Sequence, residues 1–125
     1  MLSQLNAIAT VGVKDLSKAK DFYQNKLGLE PVPGEMEYEV QMYRCGNTLI
    51  ELYHSEFAGS NKTTAISFKV GEELRKEVDN LKSKGVQFEH YDFPHLKMDG
   101  DIHVMGETKA AWFKDPDGNI LTLMN

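Results

Sequence analysis

The sequence predicts an α+β fold made of two similar strand–helix–strand–strand units. Segments with strand-like alternation and segments with helical spacing follow one another in the same order twice along the 125 residues. The two copies also match at a fixed offset of 57 positions (70 − 13 and 85 − 28), which pairs Val13 with Val70 and Gly28 with Gly85. One such unit is too small to bury both its helix and one face of its sheet, whereas two units together can do so.

A single domain is therefore predicted over residues 1–125, with module one at about 5–55 and module two at about 63–125. Apolar residues make up 41% of the chain, which is ordinary for a globular protein with one core. The turn residues Gly46-Asn47 and Gly118-Asn119 lie 72 positions apart (118 − 46) rather than 57, so the second copy has about 15 additional residues before its last strand.

Composition excludes several classes of protein. The net charge of −5 comes without a basic block, so the chain lacks the phosphate-neutralising surface of a nucleic-acid binder. No apolar run approaches the ~20 residues of a membrane span, and residues 1–6 do not resemble a signal peptide. Because Cys45 is the only cysteine, no internal disulfide can form, and we expect a reducing, cytoplasmic location with no membrane partner.

The first unit is predicted to contain a strand over 7–13 and a helix over 15–27. Asp15 stands where a helix N-cap belongs, and Gly28 follows the last residue of the helical pattern, where a glycine can adopt positive φ without steric cost. Alternating and β-branched residues then predict strands over 38–44 and 48–53, followed by a polar loop.

The second unit is predicted to begin with a strand over 65–70. Leu74, Val78 and Leu81 mark the buried face of a helix that Gly85 ends, and another strand begins at residues 86–89. Two final strands, over 108–114 and 119–124, flank the turn tetrad Asp115-Pro116-Asp117-Gly118.

Residues 92–107 show little apolar periodicity. A loop of that length within a compact domain is typically either a functional cover or a set of short local strands. We consider both interpretations, and the functional one places this segment over the mouth of a binding pocket.

Two segments together resemble a known group of proteins. The stretch V-K-D-L-S-K-A-K-D-F-Y-Q-N-K-L-G-L-E-P (Val13 to Pro31) and the stretch A-W-F-K-D-P-D-G-N-I-L-T-L (Ala111 to Leu123) resemble the opening and closing motifs of the vicinal oxygen chelate superfamily, the glyoxalase, bleomycin-resistance and extradiol-dioxygenase group. Tyr91-Asp92-Phe93-Pro94-His95-Leu96 resembles a small bacterial branch without a settled activity. The resemblance implies paired βαβββ modules forming a cupped mixed sheet with helices on the outside, a homodimer, and a pocket for an unknown small-molecule ligand.

The resemblance also implies four positions for divalent-metal ligands. They correspond in this chain to Ile8, Glu51, Ala65 and Thr122. Only Glu51 has a side chain that binds such ions well, whereas a catalytic site requires about three protein ligands. We therefore expect no metal cofactor.

Glu51 is the candidate for chemistry. Alternation along its strand puts Leu49, Glu51 and Tyr53 on one face, which the resemblance places in the pocket. Glu51 is then a ligand-contacting acid or a general base; the alternative is a solvated surface carboxylate.

Further ligand-contacting candidates are Tyr53, Met42, Trp112, Thr122 and Arg44. The aromatic residues among them are more often part of a core, and Arg44 can equally be a solvated strand end. The histidines His54, His90, His95 and His103 show no metal-binding spacing and are interpreted as surface residues. No activating partner for the thiol of Cys45 can be identified, which favours a structural role.

The sequence thus favours a metal-independent small-molecule binding protein that resembles the bleomycin-resistance branch and sequesters its ligand. The alternative is a metal-dependent lyase or dioxygenase of the glyoxalase type with replaced ligands, which would use Glu51 and loop histidines. A third interpretation is a catalytically silent scaffold whose dimer surface is its function.

Overall fold

The computed structural model describes residues 1–33 and 39–125. The chain forms two compact units, Met1–Asn61 with Pro116–Asn119, and Lys62–Asp115 with Ile120–Asn125. Each unit contains a helix and a sheet with both parallel and antiparallel strand pairs. The predicted α+β class is confirmed.

The sheet of the first unit is formed by β1 (Ala9–Val13), β2 (Glu30–Pro31), β3 (Val40–Cys45) and β4 (Thr48–His54). The strand order is β1-β4-β3-β2, with β1 parallel to β4 and the other pairs antiparallel. The strands predicted over 7–13 and 48–53 are confirmed with small shifts at their ends. Of the strand predicted over 38–44, Tyr38 lies outside the described residues.

The helix of the first unit begins as predicted at Asp15, whose carboxylate accepts a hydrogen bond from the backbone N–H of Lys18 at 3.2 Å. It is α-helical over α1 (Leu16–Lys20) and then widens into a π-helix over Asp21–Lys26. Its buried face carries Ala19, Phe22 and Tyr23, which pack on the sheet. Gly28 has a positive φ of 74°, the conformation that a glycine after the helix can adopt without steric cost.

The second unit contains β5 (Thr64–Lys69), α2 (Leu74–Ser83), β6 (Phe88–Glu89), β7 (Lys97–Asp99), β8 (Ile102–Met105), β9 (Thr108–Lys114) and β10 (Ile120–Met124). The sheet order is β5-β10-β9-β8-β7, and β6 pairs with another part of β9. Leu74, Val78 and Leu81 are buried, which confirms the predicted helix face. Single 3₁₀ turns occur at Leu2–Gln4 and Gly71–Glu73.

The segment 92–107 forms local strands over much of its length. β7 and β8 pair as an antiparallel hairpin, and β8 continues the sheet onto β9. Of the two interpretations of this segment, the structure supports the one with local strands for Lys97–Met105. The hairpin does not test whether this segment lies over the mouth of a pocket, so that placement stays a prediction. Within the described residues, no helix has both the length and the apolar character needed to cross a membrane.

Candidate functional site

Four of the sequence-predicted residues lie on one face of the first unit's sheet. Glu51 on β4 stands between Thr10 on β1 and Met42 on β3 in the strand register, and residues in register share a face. Arg44 and Tyr53 lie two positions along their strands from this row and therefore on the same face. Glu51 is half-buried, and the described part of the chain supplies it with no hydrogen bond or ion pair. This carboxylate is available to a ligand.

The four positions where the resemblance implies metal ligands do not fit a divalent ion. Ile8 and Ala65 offer only hydrocarbon. The hydroxyl of Thr122 is buried and donates to the hydroxyl oxygen of Thr64 at 3.3 Å. Across residues 1–33 and 39–125, no group of three or more His, Cys, Asp or Glu side chains is placed to hold a metal. One carboxylate, Glu51, falls short of the three protein ligands that such a site needs.

The second unit carries a groove walled by three aromatic side chains, Tyr91, Phe93 and Trp112. The Trp112 ring lies 5.6 Å, centroid to centroid, from both the Tyr91 and the Phe93 rings. The volume of the groove is about 500 Å³, within the range of small-molecule sites. Its other lining residues are Lys62, Thr63, Thr64, Asp92 and Ile120. We call this feature the aromatic groove.

Trp112 is held in a defined orientation on β9. Its indole Nε1 donates to the hydroxyl oxygen of Thr64 on β5 at 3.2 Å. In the strand register Trp112 stands beside Thr122 on β10, so these two predicted contact residues share a face. The indole is half-buried, with part of the ring accessible from the groove. Trp112 therefore has a pre-set geometry for contact with a ligand.

Tyr91 and Phe93 complete the groove from the segment that follows β6. The hydroxyl of Tyr91 is buried and has no hydrogen-bond partner among the described residues. Burial, and secondarily the nearby Glu89 carboxylate, raise the pKa of Tyr91, so the phenol stays protonated and can donate a hydrogen bond. Phe93 remains 37% exposed at the edge of the groove.

His103 is completely buried, and its interpretation as a surface histidine is wrong. It lies on β8, where its Nε2 accepts a hydrogen bond from the backbone N–H of Tyr91 at 2.9 Å. Its ring is 4.8 Å from that of Trp112, in an edge-to-face arrangement. Burial lowers the pKa of His103, since the charged form cannot be hydrated there.

An ionic network lies next to His103. One carboxylate oxygen of Asp101 is 2.7 Å from Lys82 Nζ, and the other is 2.7 Å from His90 Nε2. Hydrogen bonds from Lys82 and His90 hold the pKa of Asp101 below its usual range. Because Lys82 lies on α2 and His90 directly precedes Tyr91, the network links α2 to the segment that forms two walls of the groove.

Residue-by-residue reasoning singled out Trp112 but missed Thr64, Tyr91 and Phe93, which also line the groove. It also missed His103, which packs against the aromatic walls. The predicted contact residue Thr122 adjoins Trp112 but does not line the groove. The one available signal was the motif from Tyr91 to Leu96, which marked the segment without assigning its aromatic side chains to a pocket. His103 had no signal, because a single histidine between apolar residues is compatible with either face of a strand.

A family model described as Glyoxalase/Bleomycin resistance protein/Dioxygenase superfamily matches residues 4–123. Among curated proteins, the uncharacterized protein YraH of Bacillus subtilis (strain 168) is 32% identical over 124 residues, which covers 89% of this chain and 90% of that protein.

Solved structures with the same fold include an integron cassette protein, HFX_CASS4, from the mobile metagenome of Halifax Harbour sewage outfall. It has a TM-score of 0.72 and 23% identity, and the match covers 97% of each chain. The fosfomycin resistance protein FosX from Listeria monocytogenes, complexed with Mn(II) and sulfate, has a TM-score of 0.71 and 23% identity, covering 98% of this chain and 90% of that one. At this level of identity the two structures establish the fold alone.

Proposed function

The chain belongs to the Glyoxalase/Bleomycin resistance protein/Dioxygenase superfamily, and on that premise we propose that it binds a planar, largely apolar small molecule in the aromatic groove, without a metal cofactor. The observation that carries this proposal is the convergence of Tyr91, Phe93 and Trp112 on one groove of about 500 Å³. Sequestration of such a molecule requires no further chemistry.

The chemistry of the groove supports this class of ligand. Flat aromatic walls favour a planar molecule, because stacked and edge-to-face contacts are strongest between flat rings. Burial raises the pKa of Tyr91, so this wall of the groove stays a neutral phenol and suits an uncharged ring. Lys62 and Asp92 line the groove with opposite charges, which favours a ligand without a large net charge.

Metal independence rests on the donor set. Glu51 alone offers a carboxylate at the four family positions, and Thr122 is already bonded to Thr64. The alternative of a metal-dependent lyase or dioxygenase of the glyoxalase type would need ligands from elsewhere, such as the loop histidines.

Glu51 is proposed separately, as a contact for a ligand on the sheet face of the first unit, with general-base chemistry as its alternative role. Its half-buried carboxylate shares a sheet face with Met42, Arg44 and Tyr53, which supports contact with a polar part of a ligand. Glu51→Gln should weaken ligand binding several-fold, while Glu56→Gln, on an exposed loop, should leave binding unchanged. Equal affinities of both variants and the wild type would refute a role for Glu51.

The homodimer and the cytoplasmic location stay predictions that rest on the family and on cysteine content. Sedimentation equilibrium at micromolar concentration would test the dimer directly, and a mass of one chain would contradict it.

The main test uses 7-methoxycoumarin, a neutral planar aromatic with a carbonyl acceptor, as the probe in isothermal titration calorimetry. We expect saturable binding that Phe93→Ala weakens by about tenfold, since a desolvated aromatic contact contributes roughly 1.4 kcal/mol. Phe57→Ala is the matched control, because Phe57 is 83% exposed and does not line the groove. Absence of binding, or equal weakening by both variants, would overturn the proposal.

A further inference from the structure

We propose that His103 is the positioning residue of the aromatic groove and keeps it competent to bind only while its imidazole is neutral, so that mild acid releases the ligand. The proposal rests on the proposed function for its ligand, but its structural part concerns His103 and the groove walls alone. Its basis is that one buried, titratable ring contacts all three aromatic walls and bonds to the backbone of one of them.

The ring of His103 is the common neighbour of the groove walls. Its centroid lies 4.8 Å from that of Trp112, 6.2 Å from that of Phe93 and 6.3 Å from that of Tyr91. Since Trp112 is on β9 whereas Tyr91 and Phe93 follow β6, His103 joins two separate segments of the second unit. Removing or displacing this ring would uncouple them.

The hydrogen bond to Tyr91 determines which protonation state of His103 can hold the two segments together. Nε2 accepts the backbone N–H of Tyr91 at 2.9 Å, and only a nitrogen with a free lone pair can accept. The ring is therefore neutral with its proton on Nδ1, which is buried without a partner among the described residues. Protonation at Nε2 would place two N–H groups against each other and break the bond.

No described side chain around His103 supplies a free negative charge, and the backbone groups of Ala110, Asp101 and Tyr91, which favour the charged ring, do not outweigh burial, so the pKa of His103 is lowered on balance. His90, at 6.0 Å between ring centroids, repels a positive charge on His103 and lowers its pKa further. The carboxylate oxygens of Asp101 are already engaged by Lys82 and His90. Tyr91 is a neutral phenol, and the Glu89 carboxylate is paired with Lys114 at 3.5 Å. The strand neighbours Met98 on β7 and Ala110 on β9 do not titrate.

The consequence of protonation is local. The N–H of Tyr91 loses its acceptor, and the segment that carries Tyr91 and Phe93 loses this hydrogen bond to β8. The groove then lacks two of its three aromatic walls, while the sheet hydrogen bonds of β8 and β9 are unaffected. Because burial lowers the pKa of His103, this change occurs below the ordinary histidine value of about 6.5.

Trp112 makes the proposal measurable, since it is the only tryptophan in the chain and lies against His103. Its fluorescence is followed without ligand from about pH 7.5 to about pH 4.5, alongside far-ultraviolet circular dichroism. The affinity for 7-methoxycoumarin, which does not titrate in this range, is measured in parallel. For the wild type we expect a one-proton transition in Trp112 emission, about a tenfold loss of affinity in acid, and unchanged circular dichroism.

His103→Gln is the informative variant, because a glutamine oxygen can accept the Tyr91 N–H and cannot be protonated. It should bind the probe with little pH dependence, whereas the control His90→Gln should keep the transition of the wild type. A transition retained in His103→Gln, or a wild type whose emission and affinity do not respond to pH, would overturn the proposal.

A second measurement covers the case in which His103→Gln does not fold. Nitrogen-15 NMR of the wild-type imidazoles should show His103 as the neutral Nδ1–H tautomer at neutral pH and charged only in acid; a charged ring at neutral pH would refute the proposal. The NMR and ligand-free fluorescence readings do not involve the probe. A failure of the probe to bind would therefore count against the proposed function, and these readings would still decide the role of His103.

Discussion

The side-chain amide of Asn119 donates a hydrogen bond to the carbonyl oxygen of Gly12 at 2.8 Å, although 107 positions separate the two residues. The same amide accepts the backbone N–H of Gly59 through its oxygen at 3.3 Å. One side chain thus bonds the end of the β9–β10 turn both to β1 and to the loop after β4. The nearby Asp117 carboxylate accepts the backbone N–H of Lys14 at 3.1 Å. In this chain the turn motif is an anchoring element of the first unit.

Asn119→Ala should lower the free energy of unfolding by about 1–3 kcal/mol, because it leaves part-buried backbone groups without partners. Urea denaturation at neutral pH measures the difference. Asn25→Ala serves as the control, because the Asn25 side chain donates to Asp21 on an exposed helix surface. Its loss should lower the free energy of unfolding by well under half as much. Equal decreases in the free energy of unfolding for the two variants would show that the hydrogen bonds of Asn119 stabilise the protein no more than an exposed side-chain pair.

Gly59→Ala should be among the most damaging single substitutions in the first unit. Gly59 has φ of +70°, and an added Cβ would overlap the carbonyl group of Asp117. Gly46 is the matched control, because it also has positive φ, at +57°, but has open space around the added atom. We expect about 1 kcal/mol of destabilisation at Gly46 from backbone strain and roughly 2 kcal/mol more at Gly59 from the overlap. Similar midpoints of urea unfolding for the two variants would contradict this.

Asp101→Asn should destabilise the protein at neutral pH and cease to matter in acid. The folded-state pKa of Asp101 is lowered, so its contribution is complete above the unfolded value of about 3.9 and is lost as the pH falls through the lower folded value. We expect about 0.5–1 kcal/mol at pH 7. Asp99→Asn, whose side chain is 70% exposed beside Arg75, should cost less. If Asp101→Asn lowered the free energy of unfolding by the same amount at neutral and at acid pH, the ionic origin of the effect would be excluded.

Manganese reconstitution should leave the chain without a stoichiometric ion. After chelator treatment and dialysis against manganese, elemental analysis should find far less than about one ion per chain, since only Glu51 is a strong donor at the family positions. The Listeria FosX protein, which has been crystallised with Mn(II), is the positive control. Near-stoichiometric retention that Glu51→Gln abolishes would instead support the metal-dependent alternative.

Much of the fold follows from local patterns. The spacing of Leu74, Val78 and Leu81 predicts α2 because a helix must bury one stripe, and these residues are buried. The position of Glu51 in its strand predicts which residues share its face, because successive side chains of a strand point to opposite sides of the sheet. β7 could not be predicted, since all three of its residues are exposed and its pairing with β8 depends on a turn rather than on an apolar pattern.

The sequence by itself determined the α+β class, the main helices and strands, and the family. These properties depend on the types and spacing of residues within short segments of the sequence. Only the tertiary structure decided that His103 is buried against Trp112 and bonded to Tyr91, and that Asn119 reaches Gly12 and Gly59. Desolvation and hydrogen bonding depend on neighbours that folding brings from distant positions, so no local pattern contains them.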